Sequence, residues 1–163
     1  MPNPAEQSVP TAASDLAIAI TRTFDAPREA VFAAWTDPAQ FSRWLGPGDV
    51  RAEVVTLDPR VGGSYRIVMH DIPGGGHHAV RGTYREFDPP SRLVFTWAWE
   101  QDAETKRAGH ETLVTMTLRA LGGRTELTLR HERFESETSR DGHNRGWNGC
   151  FEKLANYLKS GRA

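Results

Sequence analysis

The closing stretch Trp147-Asn148-Gly149-Cys150-Phe151-Glu152-Lys153-Leu154-Ala155-Asn156-Tyr157-Leu158 sets Trp147, Cys150, Phe151, Leu154, Tyr157 and Leu158 three and four residues apart. That is the spacing of one apolar face on an α-helix, and it predicts a helix from Gly142 to about Leu158. The segments before it alternate apolar with polar residues, so one amphipathic helix has a whole sheet to pack against. Working backward, period-two patterns predict strands over Thr125–His131, Thr112–Leu121, Leu93–Trp99, His77–Phe87, Gly63–His70 and Val50–Leu57, with a first strand over Leu16–Phe24. Asp58-Pro59-Arg60, Pro73-Gly74-Gly75-Gly76, Asp88-Pro89-Pro90-Ser91 and Gly122-Gly123 are too short for parallel crossovers, so the sheet is antiparallel. Residues 100–111 form a longer charged hairpin loop.

Between the first two strands, Asp25-Ala26-Pro27 reads as a helix start, with Asp as cap and Pro in the first turn. Thr36-Asp37-Pro38 stops that helix and caps a second short one that carries Phe41, Trp44 and Leu45. The order is strand, two short helices, six strands, long helix. It predicts an α+β domain in which a curved seven-stranded antiparallel sheet wraps around the C-terminal helix.

Strand parity sorts the side chains. Leu93, Phe95, Trp97 and Trp99 share one face, matched by Tyr65, Ile67 and Met69 and by Val114, Met116 and Leu118; these faces look at the helix. Arg66, Arg81, Thr83, Arg85, Thr115, Thr117 and Arg119 make a polar outer face. A single helix laid over a strongly bent sheet leaves a gap, and a gap walled by large rings suits a small apolar guest. The expected walls are Tyr65, Ile67, Met69, Phe95, Trp97, Trp99, Met116, Phe134, Trp147 and Phe151, with His131 as a polar anchor.

Composition narrows the partners. The chain has 163 residues, with 20 Lys and Arg against 21 Asp and Glu, a formal charge of -1. Such a balance lacks the basic excess that drives nucleic-acid binding. Residues 1–14, rich in Pro, Ala, Ser and Thr, read as a disordered tail before one domain over 15–163. No apolar run approaches the roughly 18 residues needed to cross a bilayer, so membrane insertion is not expected and the cytoplasm is the expected location. Cys150, the one cysteine, reads as a small buried apolar residue.

Motifs for chemistry are weak. His70, Asp71, His77 and His78 flank one hairpin loop, yet His77 and His78 point to opposite faces and no standard ligand spacing occurs, so neither a metal nor any other cofactor is expected. The Gly74–Gly76 run leads into a strand and not into a phosphate-binding helix. Ser64, Ser91, Ser136 and Ser139 lie in no nucleophile elbow. The one acid–base candidate is His131, with Glu132 or Glu100 as carboxylate; the competing reading is a hydrogen-bonded wall residue.

Trp44-Leu45-Gly46-Pro47, Asp58-x-Arg60-x-Gly62-Gly63-x-Tyr65, Gly82-x-Tyr84, Pro89-Pro90-x-Arg92-Leu93-Val94-Phe95-Thr96-Trp97, Thr125-x-Leu127-Thr128-Leu129 and Gly146-Trp147 follow one another in an order that resembles the bacterial homologues of the activator of the heat-shock-protein-ninety ATPase. The similarity runs over about residues 16–160. That family sits in the START-like superfamily with polyketide cyclases and the birch-pollen allergen. The resemblance implies a helix-grip fold with a hydrophobic cavity between the terminal helix and the sheet, and no shared catalytic residue. The leading expectation is a non-enzymatic binder of a small hydrophobic, aromatic or lipid-like molecule. A cyclase or dehydratase using the same pocket, and an interaction module for a chaperone or regulatory protein, are the alternatives; a homodimer is compatible with each.

Overall fold

A computed structural model describes residues 16–101 and 107–161. The tail expected over residues 1–14 and the centre of the 100–111 loop lie outside the described residues. The elements are β1 (Ile18–Phe24), α1 (Arg28–Thr36), α2 (Pro38–Trp44), β2 (Arg51–Leu57), β3 (Ser64–His70), β4 (His77–Asp88), β5 (Arg92–Trp99), β6 (Thr112–Leu121), β7 (Arg124–Glu132) and α3 (Glu137–Asn156), which ends in a π-helical turn over Tyr157–Gly161. The strands form one antiparallel sheet in the order β1-β7-β6-β5-β4-β3-β2. This is the α+β helix-grip architecture.

Local chemistry places most boundaries. Asp37 ends α1 and its carboxylate accepts from the Ala39 amide, with Pro38 opening α2. Asp25 does not cap α1 as the sequence reading expected; Pro27 occupies the cap position and no side-chain cap bond forms. Helix α3 begins five residues before Gly142. Ser136 caps it, its hydroxyl accepting from the Ser139 amide at 3.1 Å. The polar connector read before Gly142 is therefore the first part of the helix, whose apolar stripe starts only at Trp147.

The inward parity of β3, β6 and β7 is buried, Ile67, Val114, Met116, Leu127 and Leu129 completely, and β5 is buried on both faces from Leu93 to Ala98 with Trp99 half-buried. Helix α1 touches β6 and β7 while α2 lies on β2, so the short pair spans the curl of the sheet. Trp35 of α1 links the layers: it stacks on Trp147 of α3 at 5.8 Å and meets Trp44 of α2 at 4.9 Å. Phe151 and Phe24 pack edge to face at 5.9 Å, fixing the second half of α3 against β1. Arg22 on the same strand donates to Asn148 of α3 at 2.9 Å.

One backbone approach requires glycine. The Tyr65 hydroxyl crosses β4 to donate to the Thr96 carbonyl on β5 at 2.5 Å. It passes over Gly82, where a Cβ would sit 1.9 Å from that carbonyl oxygen and 2.8 Å from the phenol oxygen. Gly82 thus lets a buried phenol find its partner.

Candidate functional site

Helix α3 grips the sheet along one row of residues and stands off along another. Trp147, Phe151 and Leu154 are buried in the core. Thr138, Gly142, Gly146 and Cys150, spaced four apart on the adjacent row, border a cleft of about 360 Å³. Small side chains keep this row clear: a Cβ at Gly146 would meet nothing within 4 Å, and one at Gly142 only Arg145 at 3.9 Å. The opposite wall is Met69 of β3, His78 of β4 and Trp97 and Trp99 of β5. The loop after α2 adds Leu45, Pro47 and Val50, and the β3–β4 hairpin adds Ile72 and Pro73. The cleft is at the lower end of the size range of ligand sites.

Glycine inside a helix costs about 1 kcal/mol against alanine. Gly146→Ala should therefore raise the unfolding free energy by about 0.5–1 kcal/mol, read as a higher urea midpoint with unchanged slope. A fall in stability would show that the position is already filled.

Two histidine–tryptophan pairs stand behind and beside the cleft. The Thr112 hydroxyl donates to the Trp97 carbonyl at 2.8 Å, so towards His131 Nε2, 2.7 Å away, it must accept. His131 therefore carries its proton on Nε2, and its Nδ1 accepts from the Trp147 indole at 3.0 Å. Both ring nitrogens are spent. Burial and the neighbouring His143 pull the His131 pKa down to about 2, so the ring is neutral. His143 mirrors it: Nδ1–H donates to the Ser139 carbonyl at 2.8 Å and Nε2 accepts from the Trp99 indole at 3.0 Å. Its pKa is lowered by burial, against the Ser139 carbonyl and Glu135. Trp97, which lines the same wall, has no partner for its indole N–H among the described residues.

The carboxylates expected beside His131 are elsewhere. Glu100 pairs with Arg66 through two bonds of 2.7 and 3.0 Å, and Glu132 lies 3.5 Å from Arg130. Among the described residues no three His, Cys, Asp or Glu side chains converge. Near the β3–β4 hairpin, His70 pairs with Glu53 at 2.9 Å and Asp71 with Arg51 at 2.5 Å.

Of the residues expected as walls, Met69, Trp97, Trp99 and Trp147 line the cleft. Tyr65 and Phe95 border a separate void of about 10 Å³. Ile67, Met116, Phe151, Phe134 and His131 are buried outside both linings, in the packed core. The sequence reading missed the helix row Thr138–Gly142–Gly146, the flanking Ser139 and His143, and the two loops that complete the wall.

The loop that carries Leu45, Pro47 and Val50 is tied to α3 through three helix residues, Lys153, Cys150 and Gly149. Lys153 donates to the carbonyls of Gly46, Gly48 and Val50 at 2.7, 3.2 and 3.0 Å. The Gly46 amide donates to Cys150 Sγ at 3.2 Å, and burial pushes that thiol up to about 12. Gly149 lets Pro47 approach the helix: a Cβ there would sit 2.8 Å from the Pro47 Cβ. Lys153→Met should cost about 1–2 kcal/mol and speed amide exchange across residues 46–50, measured by hydrogen-exchange mass spectrometry.

Residues 25–159 match the sequence profile of the family described as Activator of Hsp90 ATPase homolog 1-like protein. The chain belongs to this family. Solved structures of similar proteins share its fold along nearly their full length. One from Chromobacterium violaceum is 28% identical, covers 88% of this chain and 97% of its own, and superposes with a TM-score of 0.79. A family protein from Silicibacter pomeroyi is 27% identical, with 88% and 97% coverage and a TM-score of 0.78. A third, from Arthrobacter aurescens, is 27% identical, with 94% and 91% coverage and a TM-score of 0.78. No curated protein matches the chain. No helix among the described residues is long and apolar enough to cross a membrane.

Proposed function

We propose that this member of the family binds a small, largely apolar and aromatic molecule in the cleft between α3 and the sheet, without a catalytic step of its own. The observation that carries the reading is the cleft of about 360 Å³ held open by Gly142 and Gly146 and walled by Trp97, Trp99 and Trp147. A protein that needed only a packed core would gain by filling that row, since two helical glycines and an unfilled space both cost stability. Non-catalytic binding is supported by the two imidazoles, whose nitrogens are all engaged by protein groups. A proton shuttle needs an open nitrogen within reach of the guest, which neither His131 nor His143 offers; His78, the cleft histidine without such a partner among the described residues, stands at the exposed rim.

Calorimetric titration with 2-naphthol tests the reading, paired with Gly146→Phe. The wild type should bind in the micromolar range with a fall in tryptophan emission. The variant should keep its thermal transition and lose at least about thirtyfold in affinity. Silence from the wild type at millimolar 2-naphthol, or equal binding by both proteins, overturns the proposal.

A further inference from the structure

The cleft is polar at one end only. Its inner part is made by Leu45, Val50, Met69, Trp97 and Trp147, all buried, whereas Pro73, His78 and Thr138 at its rim are exposed. No Asp, Glu, Lys or Arg lines it. A guest carrying an amine would therefore find no counter-charge, and a guest with a polar group at its buried end would leave that group unpaired, at a cost that apolar contacts do not return. Polar groups deeper in the wall are used or covered: His143 is engaged by Trp99 and Ser139, Cys150 by the Gly46 amide, and the unpartnered Trp97 indole nitrogen is itself buried.

His78 differs from them. It lies on the inward parity of β4, paired with Met69 of β3, and its ring stands 6.4 Å from Trp99 at 78°. It makes no hydrogen bond with any described residue, so both ring nitrogens are open to a guest. An imidazole donates to a carboxylate in either protonation state, with more strength when charged.

Resting on the binding reading above, we infer that the ligand is an amphipathic aromatic acid, its ring system seated against the tryptophans and its carboxylate held at the rim by His78. The volume corresponds to about a dozen liquid waters, which suits a bicyclic or tricyclic body with one small head group.

Calorimetric titration of 2-naphthoate and its neutral isostere 2-naphthamide, with the wild type and His78→Ala, tests the assignment. The wild type should bind the acid about tenfold more tightly than the amide. His78→Ala should bring that ratio to about one by weakening the acid alone. A ratio near one in the wild type, or a ratio that survives in His78→Ala, overturns the head-group assignment while amide binding leaves the cleft reading standing. Binding of neither probe sinks both.

Discussion

Trp147→Ala should lower the unfolding free energy by about 4 kcal/mol, near the centre of the range for a large aromatic removed from a core. The indole is 3% exposed, stacks on Trp35, and tilts against Trp97 at 5.3 Å and Phe151 at 5.9 Å. Truncation would empty the contact between α1, α3 and β5 at once. It would also strip the donor from His131 Nδ1, leaving a buried acceptor unpaired. Urea denaturation followed by far-ultraviolet circular dichroism measures the loss. Trp147→Phe separates its two parts, since it restores most of the ring contact but not the N–H. Its loss should be about 1–3 kcal/mol, and a Trp147→Phe protein as stable as the wild type would show that the hydrogen bond contributes nothing.

Acid should destabilise the domain through His131. The native ring titrates at about 2 and an unfolded histidine at about 6.5, so below pH 6.5 the unfolded chain binds a proton that the folded chain refuses. Stability is complete above that value and falls as the pH drops towards the native pKa. At 1.36 kcal/mol per unit, about 2 kcal/mol disappears between pH 7 and pH 5, and about 3 kcal/mol by pH 4. His143 acts in the same direction. Urea midpoints at successive pH values check the slope, and imidazole nitrogen shifts by nuclear magnetic resonance check the site. A His131 ring that titrates near 6 in the folded protein would refute the account.

Much of the architecture could be read from residue order because it depends on local periodicity. Leu93, Phe95, Trp97 and Trp99 share one face of β5, with Trp97 and Trp99 against α3 and Leu93 and Phe95 towards the short helices, and Asp37-Pro38 divides those helices as expected. The start of α3 was hidden because Glu137, Arg140, Asp141 and Gly142 carry no apolar period; the Ser136–Ser139 cap was the available signal. The cleft was legible only in part. Parity tells which side chains point inward but not which of them interlock, so Met116 and Phe151 were expected at a wall and lie in packed core. A void is bounded as much by missing side chains as by bulky ones, and the row at Thr138, Gly142 and Gly146 has no hydrophobic signature to read. The partners of His131 come from β6 and α3, and only the β6–β7 register and the helix position bring Thr112 and Trp147 to its two nitrogens.

The pairing of β1 with β7 joins Phe24 to Thr125 and Ile18 to His131, contacts separated by about a hundred residues of chain. Closing a loop of that length costs roughly 4 kcal/mol of entropy before any neighbouring contact returns it. During vectorial synthesis the first strand therefore leaves the ribosome with no mate, and must wait until the seventh has been translated. Nascent intermediates should present Ile18, Ile20 and Phe24 to the surrounding medium until β7 emerges, and the slow encounter of these two strands should limit productive folding.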